Sequence, residues 1–405
     1  MNDNQIQVLS LIDLALHGKK NNFVSIDDYN VLFCELKDQA VLGVPLEYMI
    51  YSMDAPEEQK THWTKIVYGQ VANWTKLMEA QDELVKLLNE NHICFAIIKG
   101  IVAAMNYPKP EYRSMGDVDF VVRPEDFDKV YSLLLEYGYV CFENENDSSF
   151  KNNSDVLHHM ALKKNGIVFE LHRHMLGTVQ GRKMDQKSDA LIIEGLNHIQ
   201  IGQVGEYEFP MFETKLNGLI ILKHIIQHIS GIGGVGLRHV IDWMEFVEKH
   251  VDDAFWNDEF AEYLERVKLK DAAIVFARMG QMYLGLDESI TWCKIADDKL
   301  CEQWMEDILA SGNFGKKKDT KAEEGASVIY KNRNVFAMFG SLQELGLHHW
   351  EPARKHAVLR PFAWIYQICR YVRKGLFRKS PIKSLKQDLN KGNYKKEMIK
   401  GLKVN

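Results

Sequence analysis

The sequence predicts an α+β protein in which a small mixed sheet is framed by N- and C-terminal helical regions. Outside residues 93–182, apolar residues recur mostly three and four positions apart, which is the spacing of amphipathic helices. Inside that range, short β-branched and aromatic runs end at glycines and turn residues, as strands do. We therefore predict four segments: an N-terminal helical region 1–92, an α/β core 93–182, a helical domain 183–350 and a basic helical tail 351–405.

The elements of the α/β core follow one another along the chain. Residues 93–98 are an apolar run that predicts a buried strand, and 101–107 predict a short helix that ends at the following prolines. The β-branched run 118–122 predicts a second strand, and 124–139 predict a helix that opens with proline. Residues 156–175 contain two apolar runs separated by Asn165-Gly166, and they predict a β-hairpin with a tight turn.

The remainder of the chain is predicted to be mostly helical. The clearest helices are 223–230, 237–250 and 271–284, where the apolar spacing is regular. Residues 312–327 are rich in glycine and charge and predict a mobile loop.

Composition narrows the class of protein. Hydrophobic residues make up 46% and charged residues 26% of the 405 residues, which favours a globular protein with a large core over a disordered chain or a disulfide scaffold. The six cysteines form no Cys-x-x-Cys pair, so we predict free thiols in a reducing cytoplasm. The first twenty residues do not read as a signal peptide, and the most apolar run, 216–237, contains Lys223 and two histidines, which argues against a membrane span.

Charge is distributed unevenly along the chain. From Pro352 to the C-terminus there are 15 Lys and Arg against two acids, a net charge of +13, so a chain of total charge −6 must carry −19 elsewhere. This asymmetry predicts either a tail that packs on its own acidic body or a surface for an anionic partner. If the tail is a surface for an anionic partner, that partner could be a membrane, so a cytoplasmic protein with peripheral membrane contact is also considered.

An Asp-x-Asp pair is the sharpest chemical feature of the sequence. Asp117 and Asp119 share one face of the predicted strand, whereas Val118 and Phe120 point into the core. Strand interiors disfavour aspartate, and two adjacent carboxylates repel each other unless a cation lies between them. The pair therefore predicts a site for Mg²⁺, with Mn²⁺ as the other ion considered; the alternative is a solvated pair at a strand end.

A third carboxylate belongs to the predicted hairpin. Glu170 and His172 share a face and interrupt an apolar strand. If this strand lies beside 118–122, three carboxylates converge and can hold two Mg²⁺ ions against the charge of a nucleoside triphosphate. The alternatives are a solvent-facing glutamate and a structural histidine. Upstream, Lys99-Gly100 lies where a strand runs into a helix, a geometry that suits phosphate or an ordinary turn.

The order of these motifs resembles a known superfamily. Lys99-Gly100, Tyr107-Pro108, Arg113-x-x-Gly-Asp117-x-Asp119 and Glu170-x-His172 are similar to the nucleotidyltransferase superfamily, and more narrowly to a poorly characterised bacterial subfamily, over about residues 90–250. The resemblance implies a polymerase-β-like fold, a metal triad of Asp117, Asp119 and Glu170, and a triphosphate contact at Lys99-Gly100. The residues predicted to contact the nucleotide are Lys99, Gly100, Arg113, Ser114, His172, His228, Arg238 and Asp242.

A histidine-rich helix and the helix after it extend the resemblance. His224 and His228 share one helix face because they are four residues apart. A buried hydrogen-bonded cluster, contact with the nucleotide or Asp242, and metal binding all remain open for this pair. Arg238 is predicted to clamp a phosphate.

The sequence thus predicts an enzyme that transfers NMP from an NTP, such as ATP, to an acceptor that it does not identify. A non-catalytic nucleotide-binding regulator is the main alternative. A nucleotide-sugar glycosyltransferase is less favoured, because such enzymes need a large α/β half before the Asp-x-Asp motif and only one strand precedes it here. No RNA-binding aromatic motif is present in the sequence.

Overall fold

The computed structural model describes residues 1–18, 28–141, 159–175, 178–230, 234–315, 317, 335–376 and 381–404. The predicted α+β class is confirmed: helices surround a five-stranded mixed sheet and a separate two-stranded sheet. Residues 156–158 of the predicted hairpin, and residues 316 and 318–327 of the predicted loop, lie outside the described residues.

Four helices precede the sheet. They are α1 Asp3–His17, α2 Tyr29–Asp38, α3 Gly43–Ser52 and α4 Glu57–Glu90. The chain enters α1 through Asn2, whose side chain accepts a hydrogen bond from the Gln5 amide while the Gln5 side chain accepts one from the Asn2 amide. Helix α4 is long, and its C-terminal half buries Leu77, Leu84 and Leu88 against the sheet.

The main sheet has the strand order β1-β2-β5-β4-β3. Its strands are β1 Phe95–Ile98, β2 Asp117–Val122, β3 Val140–Cys141, β4 His159–Lys164 and β5 Ile167–His172. Strand β2 is antiparallel to β1 and parallel to β5, so the sheet is mixed as predicted. Asn165 and Gly166 have φ angles of 51° and 85°, the left-handed values that the tight turn between β4 and β5 requires.

The two faces of the sheet meet different surroundings. Val118, Phe120 and Phe169 pack on one side in a core shared with α4 and with α6 Phe127–Glu136. The other side carries Asp119 and Glu170, and Val121 on this side belongs to the core of the helical region. The acidic residues therefore lie between the sheet and the helices that follow it.

The helical region after the sheet begins with α7 Arg182–Gly195 and continues through α8 Thr214–Ser230 and α9 Leu237–His250. The later helices of this region are α10 Asp253–Phe255, α11 Ala261–Glu265, α12 Lys270–Tyr283 and α13 Asp298–Ser311, with a π-helical turn Trp256–Phe260 between α10 and α11. Helices α8, α9 and α12 confirm the three helices predicted at 223–230, 237–250 and 271–284.

The tail is helical where it is described. Helix α14 Val335–His349 precedes it, and the tail contains α15 Glu351–Lys355, α16 Ala363–Leu376 and α17 Pro381–Gly401. Leu402 lies in the same apolar core as Leu11, Val121 and Trp243, so all four predicted segments contribute to one core. The boundaries between those segments stay a prediction.

One hairpin departs from the mostly helical structure predicted after residue 183. Strands β6 Gln200–Val204 and β7 Tyr207–Met211 form an antiparallel hairpin whose turn contains Gly205 with φ at 61°. Phe209 from β7 packs into the core beneath the main sheet. Among the described residues, no helix combines the length and apolar character that crossing a bilayer requires.

Candidate functional site

The acidic residues meet on one face of the main sheet. Strands β2 and β5 pair in a register that places Asp119 opposite Glu170 and Val121 opposite His172. Since alternate residues share a face, Asp117, Asp119, Glu170 and His172 all lie on the same side. The predicted adjacency of the two strands is confirmed by this register.

Lys99 reaches into the space between these side chains. Its Nζ donates a hydrogen bond of 2.8 Å to Asp119 Oδ1 and lies 3.7 Å from Glu170 Oε2. His172 Nε2 lies 2.8 Å from the same Asp119 oxygen and 3.2 Å from Glu170 Oε2. Two carboxylates, one imidazole and one ammonium therefore form a four-residue cluster, which we call the acidic cluster; Lys99, Asp119 and His172 are buried and Glu170 is half-buried.

Burial and charge act in opposite directions within the acidic cluster. Burial lowers the pKa of Lys99, but the charges of Asp119 and Glu170 outweigh it and leave that pKa above its usual value. Burial raises the pKa of Asp119. The charge of Lys99 and the hydrogen bond with His172 lower that pKa by more than burial raises it, so the net shift is downward. The Lys99–Asp119 pair is therefore ionised at neutral pH.

Asp117 lies on the same sheet face, and the residue opposite it on β5 is Val168. Burial, followed by the charges of Asp119 and Glu170, raises the pKa of Asp117 to about 6, although Lys99 and Arg238 oppose the shift. Asp117 therefore changes its charge just below neutral pH.

The turn that presents Lys99 has an unusual backbone. Lys99 lies between β1 and α5 Gly100–Ala104 with φ at 55° and ψ at −109°, a conformation that non-glycine residues seldom adopt. Such strain costs about 1–3 kcal/mol and persists where surrounding contacts hold it. Here those contacts are the bonds of the ammonium to the acidic cluster. The predicted strand-to-glycine-to-helix turn is confirmed.

The acidic cluster has the donor set of a metal site. Ligand atoms of Asp119, Glu170 and His172 all lie within 4.8 Å of one another. The predicted triad combined Asp117 with Asp119 and Glu170, whereas the closest described group contains His172 in its place. Carboxylate oxygens suit Mg²⁺ and Mn²⁺, and an imidazole nitrogen is better tolerated by Mn²⁺ than by Mg²⁺. A metal role for these residues stays a prediction.

Arg113 and Asp242 form a buried ion pair beside the acidic cluster. Arg113 donates from Nε and Nη2 to the two carboxylate oxygens of Asp242, both at 2.7 Å, and Tyr107 Oη donates to Asp242 Oδ1 at 2.7 Å. All three side chains are buried. The structure thus brings these two predicted nucleotide contacts together as a clamp on the loop before β2, and their contact with nucleotide stays a prediction.

The same loop is held from two further sides. Arg238 Nη1 donates to the Ser114 carbonyl at 2.9 Å, which ties the loop to α9. From α4, Gln70 donates to the Tyr112 carbonyl at 2.6 Å and Asn73 donates to the Met115 carbonyl at 3.3 Å. Arg238 and Ser114, both predicted to contact nucleotide, therefore meet through the backbone of the loop that leads into Asp117.

The histidines of α8 and α9 form a second cluster. His224 and His228 have their Nε2 atoms 2.9 Å apart, and the His239 ring lies 5.1 Å and 4.4 Å from theirs, centroid to centroid. Burial lowers the pKa of all three, to about 3 for His228, so the rings are neutral at pH 7. Their ligand atoms also lie within 4.8 Å of one another. The predicted sharing of one face by His224 and His228 is confirmed, and their function stays a prediction.

Three contributors to the site escaped the sequence analysis as functional residues. Tyr107 appears in the sequence only as part of a motif, and neither His239 nor Gln70 was predicted to act in the site. The pattern Tyr107-Pro108 and the helical spacing of His239 relative to Asp242 were available signals. Gln70 lies in an amphipathic helix like many other glutamines, and its sequence context carries no signal.

A family model described as uncharacterised nucleotidyltransferase matches residues 40–285. Because the match covers more than half of the 405 residues, the chain belongs to this family. Among curated proteins, no match to the chain was found. The family match lends no support to the glycosyltransferase alternative.

Proposed function

We propose that the chain is a divalent-metal-dependent enzyme that transfers NMP from an NTP to an acceptor. The observation that carries the proposal is the opposition of Asp119 and Glu170 on adjacent parallel strands, with the Lys99 ammonium between them. A buried carboxylate with a second, half-buried carboxylate opposite it is costly unless a cation compensates the pair. The family match supports the reaction class.

The residues fit a divalent cation. Asp119, Glu170 and His172 offer three donor atoms within 4.8 Å, and Asp117 adds a third carboxylate on the same sheet face. The Lys99 ammonium already occupies the place of a cation beside Asp119, which shows that positive charge is accommodated there. When bound, Mg²⁺ or Mn²⁺ would offset triphosphate charge and stabilise the transition state of attack on the α-phosphorus.

The residues of the chain have separate tasks in this proposal. Lys99 neutralises Asp119 in the absence of nucleotide, and its ammonium is close enough to the cluster to pair with a phosphate instead. The Arg113–Asp242 pair and Arg238 hold the loop before β2, so that Asp117 and Asp119 keep their positions. The acceptor atom forms a bond to the α-phosphorus, the bond from that phosphorus to the bridging oxygen of the β-phosphate breaks, and pyrophosphate leaves.

The proposal is tested with Asp119→Asn. Purified protein is incubated with each NTP, Mg²⁺ or Mn²⁺ and a cell extract, and mass spectrometry searches for products heavier by one NMP, while pyrophosphate release is measured in parallel. Asp128 is an exposed acid on α6, so Asp128→Asn is the matched control. We expect products with wild type and the control and none with Asp119→Asn.

Two results would contradict the proposal. If Asp119→Asn formed as much product as wild type, the acidic cluster would have no role in the reaction. Nucleotide binding by calorimetry without turnover in any extract, for wild type, would favour the non-catalytic regulator instead.

A further inference from the structure

Helix α16 exposes apolar side chains to solvent. Ile365 and Ile368 are 41% and 39% exposed, Cys369 is exposed beside them, and Phe362, the last residue of the 3₁₀ turn Ala357–Phe362 before α16, is 51% exposed. Their spacing of three and four residues places them on one side of the helix. We call these four residues the α16 outer face. Val358, in the turn just before it, is 82% exposed.

The opposite side of α16 already has partners. Ala363 and Gln367 are fully buried, and Gln367 Oε1 lies 3.0 Å from His349 Nδ1 of α14. The Trp364 amide donates to Gln343 Oε1 at 3.1 Å, and the Tyr366 ring stacks on Trp350 at 5.2 Å. A polar glutamine is thus buried while isoleucines face outward, the reverse of a helix that packs its apolar face on its own protein.

Cations lie near the outer face. Arg360 precedes α16, and Arg373 lies one turn beyond Cys369; both are exposed. They belong to the C-terminal stretch from Pro352 that holds 15 basic and two acidic residues. A row of exposed apolar side chains with flanking arginines is the composition of helices that lie in the interface of an anionic bilayer.

The last helix fixes the tail to the body. Lys395 of α17 pairs with Asp307 of α13, and Lys403 Nζ donates to Asp271 Oδ1 at 2.9 Å. Met398, Ile399 and Leu402 are buried in the main core. Basic residues of α17 are thus used against the protein, whereas the α16 outer face is left pointing away from it.

We propose that the α16 outer face binds the surface of an anionic membrane, with its apolar side chains in the interface and Arg360 and Arg373 at the headgroups. An acidic protein surface would satisfy the arginines but not the phenylalanine and isoleucines, while an anionic bilayer interface satisfies both. The contact is peripheral, and it places the catalytic core beside the bilayer. This inference does not depend on the proposed transfer reaction.

The first test is co-sedimentation of the full chain with vesicles. Anionic vesicles of phosphatidylcholine and phosphatidylserine are compared with pure phosphatidylcholine, each at low and high salt. We expect binding to the anionic vesicles alone, weakened by salt. The double variant Ile365→Ser/Ile368→Ser should abolish it, whereas Ile295→Ser, at a 76% exposed isoleucine in the helical region, should bind as wild type does.

Charge is tested separately. Arg360→Glu and Arg373→Glu should each weaken anionic-vesicle affinity about fivefold or more, the fold-change that corresponds to ~1 kcal/mol per basic residue near an anionic surface. Lys65→Glu, at an exposed position of α4, is the matched control and should have no comparable effect.

Cys369 provides a direct probe of the same face. In a variant in which Cys34, Cys94 and Cys141 are serine, an environment-sensitive fluorophore on Cys369 should shift to the blue with anionic vesicles. A second variant keeps Cys34 as its only accessible thiol, and a label there should not shift.

Three outcomes would overturn the proposal: no vesicle binding, equal binding to neutral vesicles, or binding that the Ile365→Ser/Ile368→Ser variant retains. The α16 outer face could instead bind a second copy of the chain. Sedimentation velocity without lipid tests for such a dimer. A dimer that the same double variant dissolves would also overturn it.

Discussion

The Lys99 ammonium donates a hydrogen bond of 2.8 Å to Asp119 across two antiparallel strands, and both groups are buried. Ile98, the residue before Lys99, is the strand partner of Asp119, so the sheet register itself delivers the lysine to the carboxylate. The ammonium lies within 3.7 Å of Glu170 as well, where it neutralises the cluster that is proposed to bind metal. Under this proposal, lysine and metal would compete for the same carboxylates.

Removal of this ammonium should strengthen metal binding in the absence of nucleotide. For Lys99→Met we expect Mn²⁺ affinity, measured by calorimetry, to rise at least about tenfold. A tenfold gain in affinity is smaller than the repulsion that is removed, because two unit charges 4 Å apart interact with an energy of roughly 4 kcal/mol at an effective dielectric of 20. NTP affinity should fall in the same variant, because a phosphate partner is lost. Lower Mn²⁺ affinity in Lys99→Met would show that the lysine does not compete with metal.

The buried Arg113–Asp242 pair should dominate the stability of the loop before β2. Asp242→Asn leaves a buried guanidinium without its counter-charge, and we expect the free energy of unfolding, from urea titration, to fall by about 3–5 kcal/mol. The double variant Arg113→Met/Asp242→Leu should recover much of this loss, because no unpaired charge remains. The exposed pair Arg266–Glu262, 2.8 Å apart, is the control, and Glu262→Gln should change the unfolding free energy by less than about 1 kcal/mol. A small effect of Asp242→Asn would mean that water reaches Arg113.

Residues with a clear strand period carried the successful predictions. The alternation in Asp117-Val-Asp119-Phe and in Phe169-Glu170-Leu-His172 determines which side chains share a face, so the opposition of Asp119 and Glu170 was predictable once the strands were adjacent. The turn at Asn165-Gly166 was predictable for a similar local reason, because both residues tolerate positive φ.

Contacts between distant segments were not predictable. Tyr107 and Asp242 are 135 residues apart, and nothing local to either indicates that one bonds the other. Strand β6 reads Gln-Ile-Gly-Gln-Val, and its glycine and two glutamines weaken the strand signal. Its pairing with β7 and the packing of Phe209 beneath the main sheet decide its structure. Tertiary packing outweighs local preference in both cases.

Gly100 should be replaceable without loss of stability. A Cβ there would meet the Met115 sulfur at 3.5 Å and the Asp117 carbonyl at 3.7 Å, which are ordinary contact distances, and its φ is not positive. Gly100→Ala should therefore change the unfolding free energy by no more than about 1 kcal/mol, the usual size of such exchanges.

Nucleotide affinity then reports on how closely a phosphate approaches Gly100. If the triphosphate lies against this turn, Gly100→Val should weaken NTP binding in calorimetry while circular dichroism remains native. The control is Gly116→Ala, because a Cβ there has open space around it. Gly69 also has open space but lies inside helix α4, so Gly69→Val is not a suitable control. Unchanged NTP affinity in Gly100→Val would place the triphosphate elsewhere.

Glu245 should contribute stability that decreases as the pH rises. This residue of α9 is buried, its Oε1 has no hydrogen-bond partner among the described residues, and His17 Nε2 is 4.0 Å away. Burial, followed by the charge of Glu248, raises its pKa to about 8, although Lys249 opposes the shift. The folded protein therefore holds a proton that the unfolded chain releases near its ordinary pKa of about 4.5.

The sign of the effect follows from that difference in bound protons. The stabilisation is complete below the unfolded pKa and is lost as the pH rises through about 8, with a slope of at most about 1.4 kcal/mol per pH unit for one proton. Glu245→Gln mimics the protonated form, so the urea-unfolding free energy of wild type should fall relative to that of Glu245→Gln as the pH rises from 5 to about 8.5. Glu79→Gln, at an exposed acid of α4, should retain the wild-type slope. An identical slope in wild type and Glu245→Gln would show that Glu245 is ionised across this range.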